Sequence, residues 1–201
     1  MASIRIPYGK QSITEEDIEA VAQVLRSDWI TQGPKIEEFE KAVAAFSETP
    51  HAIAVSNGTA GLHAALHAAG IKKGDEVIVP PITFAATANA VLYCQGIPVF
   101  SDVDPSTLLL DPEKAAAKIT PKTKAIISVD YGGHPSFYNE LREIAKKHNL
   151  IFISDACHAI GAQYNGRKVG SLADMTVFSF HPVKHITTGE GGMIMTSNPE
   201  W

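Results

Sequence analysis

From His51 onward the chain alternates short apolar runs with longer runs of helical character, and this alternation constrains the fold more than any other feature. Strands are predicted at 52–55, 76–79, 99–103, 125–129, 151–154, 176–179 and 193–196. Helices are predicted at 59–69, 85–95, 112–118 and 136–148. Asp111 caps the third of these helices with Pro112 in its first position, and Gly70 follows the first as a stop signal. Continuous apolar strands are buried on both faces, and helical crossovers join parallel neighbours. The pattern therefore predicts an α/β fold with a mostly parallel sheet and helices on both faces. The last two strands are separated by about a dozen residues without helical periodicity, too little for the usual crossover, which leaves an antiparallel strand open at one edge.

Two helices precede this region. Ser12 and Glu15 have capping-box spacing, and Ile18, Val21, Ala22 and Leu25 follow at i, i+3, i+4 and i+7. Pro34 suits the first turn of the second helix, with Ile36, Phe39, Val43 and Phe46 as its apolar stripe. The loop 28–33 between them carries Trp29, whose plain reading is a packing residue.

Composition removes several function classes. The stretch 77–101 has 25 residues without a charge, long enough for a membrane span. Pro80, Pro81, Gly96 and Pro98 break it, and Asn89 and Gln95 are polar, so it reads as strand, turn, helix and strand of a buried core. The 201 residues are 45% hydrophobic and 19% charged, which argues against disorder and a coiled coil. A net charge of −5 advertises neither nucleic acid nor an anionic membrane as partner. Cys94 and Cys157 form neither a disulfide framework nor a CxxC motif, and residues 1–10 show no secretory signal, so a reducing, cytoplasmic location is expected. The sequence stops at Thr-Ser-Asn-Pro-Glu-Trp, directly after a predicted strand, where a continuation is expected.

Several motifs fail on inspection. Residues 161–168 approach a P-loop but lack Lys-Ser/Thr after the second glycine, and no GxGxxG follows a strand. Asn57-Gly58-Thr59 is a chance glycosylation sequon in a chain without a signal peptide. His63 and His67 lack the third ligand and the glutamate of a zinc helix.

Three segments carry chemistry together. At 55–62 a strand runs through Ser56, Asn57 and Gly58 into a helix whose free N–H groups suit an anion, phosphate above all, although a plain strand–helix turn reads equally well. At 151–159 a buried strand delivers Asp155 at its carboxyl end, where α/β sheets bind ligands; a turn cap is the plain alternative. At 178–192 Lys184 lies in a loop rich in Gly, Thr and His between two apolar strands, either a solvated lysine or an amine for Schiff-base chemistry. A phosphate cradle, a carboxylate and a lysine match the phosphate tail, pyridine nitrogen and aldehyde of pyridoxal 5'-phosphate.

The segments 56–60 (Ser-Asn-Gly-Thr-Ala), 81–90 (Pro-Ile-Thr-Phe-Ala-Ala-Thr-Ala-Asn-Ala), 155–161 (Asp-Ala-Cys-His-Ala-Ile-Gly) and 178–184 (Phe-Ser-Phe-His-Pro-Val-Lys) give the resemblance. Across 7–192 the sequence resembles the DegT/DnrJ family of pyridoxal-phosphate-dependent nucleotide-sugar aminotransferases, which implies the fold type I, aspartate-aminotransferase-like large domain. Segments 27–33, 128–133 and 181–188 are most similar to the family's UDP-4-keto-sugar transaminases of pseudaminic acid synthesis, with Gly189 where alanine is expected. The resemblance implies that Lys184 holds the cofactor as a Schiff base and that Asp155 pairs with its ring nitrogen. It assigns Gly58, Thr59 and Ser179 to the phosphate, Phe84 to the ring face and His158 to the phenolic oxygen. Tyr8, Trp29 and Thr31 are assigned to the substrate. It further implies that residues 1–201 form an N-terminal segment and the large domain, with a smaller C-terminal domain beyond, in a homodimer that shares its active sites. The expected reaction moves an amino group from an amino acid, glutamate foremost, to C4 of a nucleotide-linked 4-keto-6-deoxy sugar. Two other readings stand beside it. One is a sugar dehydratase of the same family, which carries histidine in place of the lysine. The other is a non-catalytic truncated domain.

Overall fold

The computed structural model describes residue 7 and residues 9–201. Seven strands form the main sheet: β1 (His51–Val55), β2 (Glu76–Val79), β3 (Ile97–Phe100), β4 (Thr123–Val129), β5 (Ile151–Asp155), β8 (Met175–Ser179) and β9 (Gly192–Thr196). A separate two-stranded ribbon joins β6 (Gln163–Tyr164) to β7 (Arg167–Lys168). The helices are α1 (Glu15–Leu25), α2 (Pro34–Phe46), α3 (Gly58–Ala68), α4 (Ala86–Tyr93), α5 (Pro112–Ala117) and α6 (Tyr138–His148).

The sheet order is β1-β9-β8-β5-β4-β2-β3. All pairs from β3 to β8 are parallel. β9 is antiparallel to both of its neighbours, β8 and β1. One strand is thus reversed, as the missing crossover helix required, but it is not the edge strand. β1 lies outside it and runs with the parallel set. The exposed edge of β1 is partly closed by α2, whose Glu40 Oε1 accepts the Ala54 N–H at 2.8 Å.

Both faces of the sheet are covered. Leu62, Leu66, Ala90 and Val91 of α3 and α4 pack on Val77, Val79, Ile127, Ile153 and Val177. On the opposite face Val43, Tyr138 and Leu141 of α2 and α6 join Ile78, Ile126, Phe152 and Phe178. β8 and β9 are buried along their whole length, as their uncharged sequences demand. The uncharged stretch 77–101 resolves into β2, a loop, α4 and β3, and among the described residues no helix is long and apolar enough to cross a membrane.

Three local expectations change. The capping box of α1 uses Thr14 and Asp17: the Thr14 N–H meets Asp17 Oδ2 at 2.8 Å and the Asp17 N–H meets Thr14 Oγ1 at 3.3 Å. The stripe of α1 finds no cover among the described residues, with Ile18, Val21 and Leu25 all at least half exposed. β3 ends at Phe100 because Val103 instead bridges Leu110. The near-miss P-loop is the β6–β7 hairpin, turned by Asn165-Gly166 with both residues at positive φ, the Asn-Gly hairpin signal. His63 packs edge-on against Tyr93 with 5.5 Å between ring centroids.

Candidate active site

The site gathers where β5 and β8 end and α3 begins. Asn57 caps α3, its side-chain oxygen accepting the Ala60 N–H at 2.8 Å. The N–H groups of Gly58 and Thr59 precede the helical ladder and meet no acceptor among the described residues. Two glycines make this turn possible. A Cβ on Gly58 would lie 2.8 Å from Cys157 Sγ and 3.1 Å from Ser179 Cβ. A Cβ on Gly192, at the start of β9, would lie 2.8 Å from the Asn57 carbonyl carbon, 2.9 Å from Gly58 N and 2.9 Å from Phe178 O. The close approach of β9 therefore presses the turn toward the end of β8 and brings Gly58, Ser179 and Cys157 together. The open N–H groups at the helix start and the Ser179 hydroxyl form an anion-binding corner.

Asp155 ends β5 and is 6% exposed. Its Oδ2 accepts the Thr87 hydroxyl at 2.7 Å, and its Oδ1 accepts the Cys157 N–H at 3.3 Å. Thr87 lies in the first turn of α4, and its N–H bonds the Phe84 carbonyl at 3.1 Å. Phe84 presents its ring to solvent at 77% exposure, and its backbone is tied to the residue that bonds the buried carboxylate.

Lys184 is half-buried in the turn after β8, where its N–H bonds the His181 carbonyl at 2.9 Å. Its charge reaches the residues after β5. Burial first, and the Lys184 ammonium second, hold the His158 imidazole below its ordinary range, with Asp155 acting in the opposite sense. Burial, reinforced by the Asp155 charge, pushes the Cys157 thiol well above its ordinary range. A neutral imidazole and a protonated thiol thus flank the carboxylate and the amine. The loop after β4 closes this side, since a Cβ on Gly133 would meet the His158 carbonyl at 2.8 Å.

The structure brings Gly58 against both Ser179 and Cys157, joins Cys157 to Asp155 by a hydrogen bond, and couples His158 and Lys184 to them electrostatically. Thr59 follows Gly58 in α3, and Phe84 joins through Thr87. Trp29 and Thr31 are not brought in. Both are exposed in the α1–α2 loop, and Trp29 packs on Gly33 of its own loop. Tyr8 lies outside the described residues. The next residue, Gly9, sits beside Val183, with a Cβ there 3.6 Å from Val183 Cα.

Cys157, Thr87 and Gly192 join the site although no role was read for them in sequence. Behind it lies a buried polar network, also unread. Asp130 Oδ1 accepts the Ser136 N–H at 2.8 Å and the Ser136 hydroxyl at 2.7 Å; Oδ2 accepts the Tyr138 hydroxyl at 2.7 Å. Burial pushes the Asp130 carboxyl up to about 6. An acidic residue closing an apolar strand, with Ser and Tyr six and eight residues on, was the available signal.

Residues 11–201 match the DegT/DnrJ/EryC1/StrS aminotransferase family. The chain belongs to this family. The spore coat polysaccharide biosynthesis protein SpsC of Bacillus subtilis is 44% identical over 195 residues, 97% of this chain and 50% of the relative. The Streptococcus pneumoniae protein Spr1654, solved in its PLP-form, superposes with a TM-score of 0.94 at 36% identity, covering 98% of this chain and 55% of that one. The Helicobacter pylori aminotransferase PseC, involved in the biosynthesis of pseudoaminic acid, superposes with a TM-score of 0.92 at 37% identity, covering 96% of this chain and 53% of that one. The mostly parallel sheet with one reversed strand is the large-domain fold expected for the family. The chain spans about half the length of the curated relatives it matches.

Proposed function

We propose that this chain is the cofactor-binding part of a pyridoxal-phosphate-dependent transaminase that moves an amino group from an amino acid, glutamate foremost, to C4 of a nucleotide-linked 4-keto-6-deoxy sugar. One observation supports the reading: Gly58 packs on both Cys157 and Ser179, the Cys157 N–H bonds the buried Asp155 carboxylate, and the Lys184 charge acts on the same Cys157. The donor set fits the cofactor. N–H groups and a hydroxyl suit its phosphate, a carboxylate its ring nitrogen, an exposed aromatic its ring face and an amine its aldehyde. When bound, pyridoxal phosphate supplies a carbon that captures amines and a ring that takes up the electron pair left by proton removal.

The chain's own residues do the rest. Gly58, Thr59 and Ser179 hold the phosphate, and Phe84 covers the ring. Asp155 keeps a proton on the ring nitrogen, because a buried carboxylate is best paired with a positive charge. His158 donates to the phenolic oxygen. Lys184 would hold the cofactor until the donor's amine takes its place; its freed Nζ would then take the α-proton of the donor and pass it on to the cofactor, and in the second half Nζ would take a proton back and deliver it to C4 of the sugar. A histidine-for-lysine dehydratase is disfavoured by Lys184 itself.

The sugar assignment draws on the likeness to PseC and on the arginines. A small keto acid is best clamped by a bidentate arginine. Among the described residues Arg26 pairs with Glu19, Arg142 bonds the Leu172 carbonyl and Arg167 bonds the Ser171 carbonyl, while Arg5 lies outside them. Tyr8, Trp29 and Thr31 belong to the reading as substrate contacts. A smaller C-terminal domain, a homodimer with shared active sites and a cytoplasmic location complete it. The test is an amination assay on the complete gene product with UDP-4-keto sugars beside pyruvate and oxaloacetate. Faster turnover of either keto acid than of every keto sugar overturns the assignment.

A further inference from the structure

The 81–90 segment holds two threonines that the reading above leaves without a task. Thr87 is 0% exposed in the first turn of α4. Its Oγ1 lies 2.7 Å from Asp155 Oδ2 and 2.6 Å from Thr83 Oγ1. A hydroxyl has one proton, and an ionised carboxylate only accepts. The Thr87 proton therefore goes to Asp155, and Thr83 supplies the proton of the 2.6 Å contact. The chain of donation has a direction, from Thr83 through Thr87 to the carboxylate. On the other oxygen the Cys157 N–H at 3.3 Å is the second donor.

These donors work where water does little. At 6% exposure Asp155 depends on fixed donors for the solvation of its charge, and charge-assisted bonds are the strong ones. A second buried acid lies close by, with the Asp130 N–H bonding the Asp155 carbonyl at 3.1 Å. The Thr87 backbone adds a further tie through the Phe84 carbonyl at 3.1 Å. One helical turn thus fixes both the carboxylate and the loop that bears the exposed aromatic ring.

We infer that Thr87, with Thr83 behind it, is a positioning residue that orients the Asp155 carboxylate toward the cofactor's ring nitrogen and sets it against the Phe84 loop. The inference rests on the cofactor assignment above. It differs sharply from a packing role. Valine fills the volume of threonine without the hydroxyl; serine keeps the hydroxyl and leaves a methyl-sized gap. Packing alone makes Thr87→Ser the more damaging change. Positioning makes Thr87→Val the damaging one for the site and Thr87→Ser the damaging one for stability only.

The experiment uses the loaded, complete gene product with cofactor labelled with 15N in its ring. The 15N shift reports protonation of the ring nitrogen, single-turnover spectra report its reaction with glutamate, and thermal unfolding reports packing. Thr87→Val is expected to move the 15N shift toward the unprotonated position and to slow the single turnover by roughly ten- to a hundredfold. Thr87→Ser is expected to keep the wild-type shift and a rate near wild type while melting lower. Should Thr87→Val fail to fold, Thr83→Val at its half-buried position reads the same chain, with a smaller shift in the same direction expected. A wild-type shift and rate in Thr87→Val, equal impairment of the site in Thr87→Ser, or no shift in Thr83→Val as the fallback overturns the inference. Failure of the wild-type protein to take up pyridoxal phosphate overturns the cofactor assignment as well, which separates the two failures.

Discussion

Replacing Asp130 by asparagine isolates one buried charge. Asp130 is 1% exposed at the end of β4, and its carboxyl receives Ser136 and Tyr138 at 2.7–2.8 Å and the Ser154 hydroxyl at 3.4 Å. Those donors favour the carboxylate, yet burial outweighs them, and the Asp155 charge adds to it, so the group rises from 3.8 to about 6. The folded state therefore binds this proton more tightly than the unfolded chain does. Its contribution is fully present below the unfolded value and is lost as pH climbs from about 4 to about 6. Two units correspond to about 3 kcal/mol. The asparagine variant keeps the shape: its amide oxygen accepts from Ser136, its NH2 donates to the Tyr138 oxygen, and Tyr138 turns its proton to Ser154 Oγ at 2.8 Å. Urea unfolding of the cofactor-free protein, wild type beside Asp130→Asn, from about pH 4 to about pH 7 checks this. The variant should gain about 3 kcal/mol on the wild type across that window. The exposed acids Asp17, Glu37, Asp102 and Asp104, all lowered by hydrogen bonds, shift stability in the opposite sense, and they cancel in the difference. A difference that stays flat with pH refutes the reasoning.

Two further outcomes are expected. Borohydride reduction of the loaded protein followed by peptide mapping should place the cofactor on Lys184, and a label on another lysine would remove its role. Gly192→Ala should destabilise by about 1–3 kcal/mol and weaken cofactor binding, because its Cβ would meet backbone atoms that cannot swing aside; urea unfolding and a cofactor titration with wild-type values would refute the close packing of β9 on the 57–58 turn.

The strands were legible because burial on both faces writes itself as uncharged Val, Ile, Met and Phe, and Met175–Ser179 and Gly192–Thr196 are buried throughout. Their order was not legible, since β9 inserts between β8 and β1, a long-range pairing that no local period encodes. The stripe of Ile18, Val21 and Leu25 was legible as a helix and misleading as a core: periodicity reports which face is apolar, not what covers it. At the site, Asp155 stood out because a buried strand delivers it at its carboxyl end, and Lys184 because it lies in a Gly-, Thr- and His-rich loop between two apolar strands. Thr87 did not, because a threonine in a helix-forming run carries no signal until the carboxylate 68 residues away arrives beside it.

The arrangement of the two buried acids follows from the alternation of a strand. Successive residues of β5 point to opposite faces, so Ser154 turns toward Tyr138 on the α6 side while Asp155 turns toward Thr87 on the α4 side. Asp130, the residue directly after the neighbouring parallel strand, turns its side chain to the α6 side with Ser136 and Tyr138. Each acid is therefore satisfied by its own helix, with the sheet between them, and the Asp130 N–H to Asp155 carbonyl bond joins their backbones. Two carboxyls one strand apart on the same face would compete for the same donors and the same proton. Placed on opposite faces, one acid remains within the polar network behind the sheet, and the other is left to carry a charge at the site.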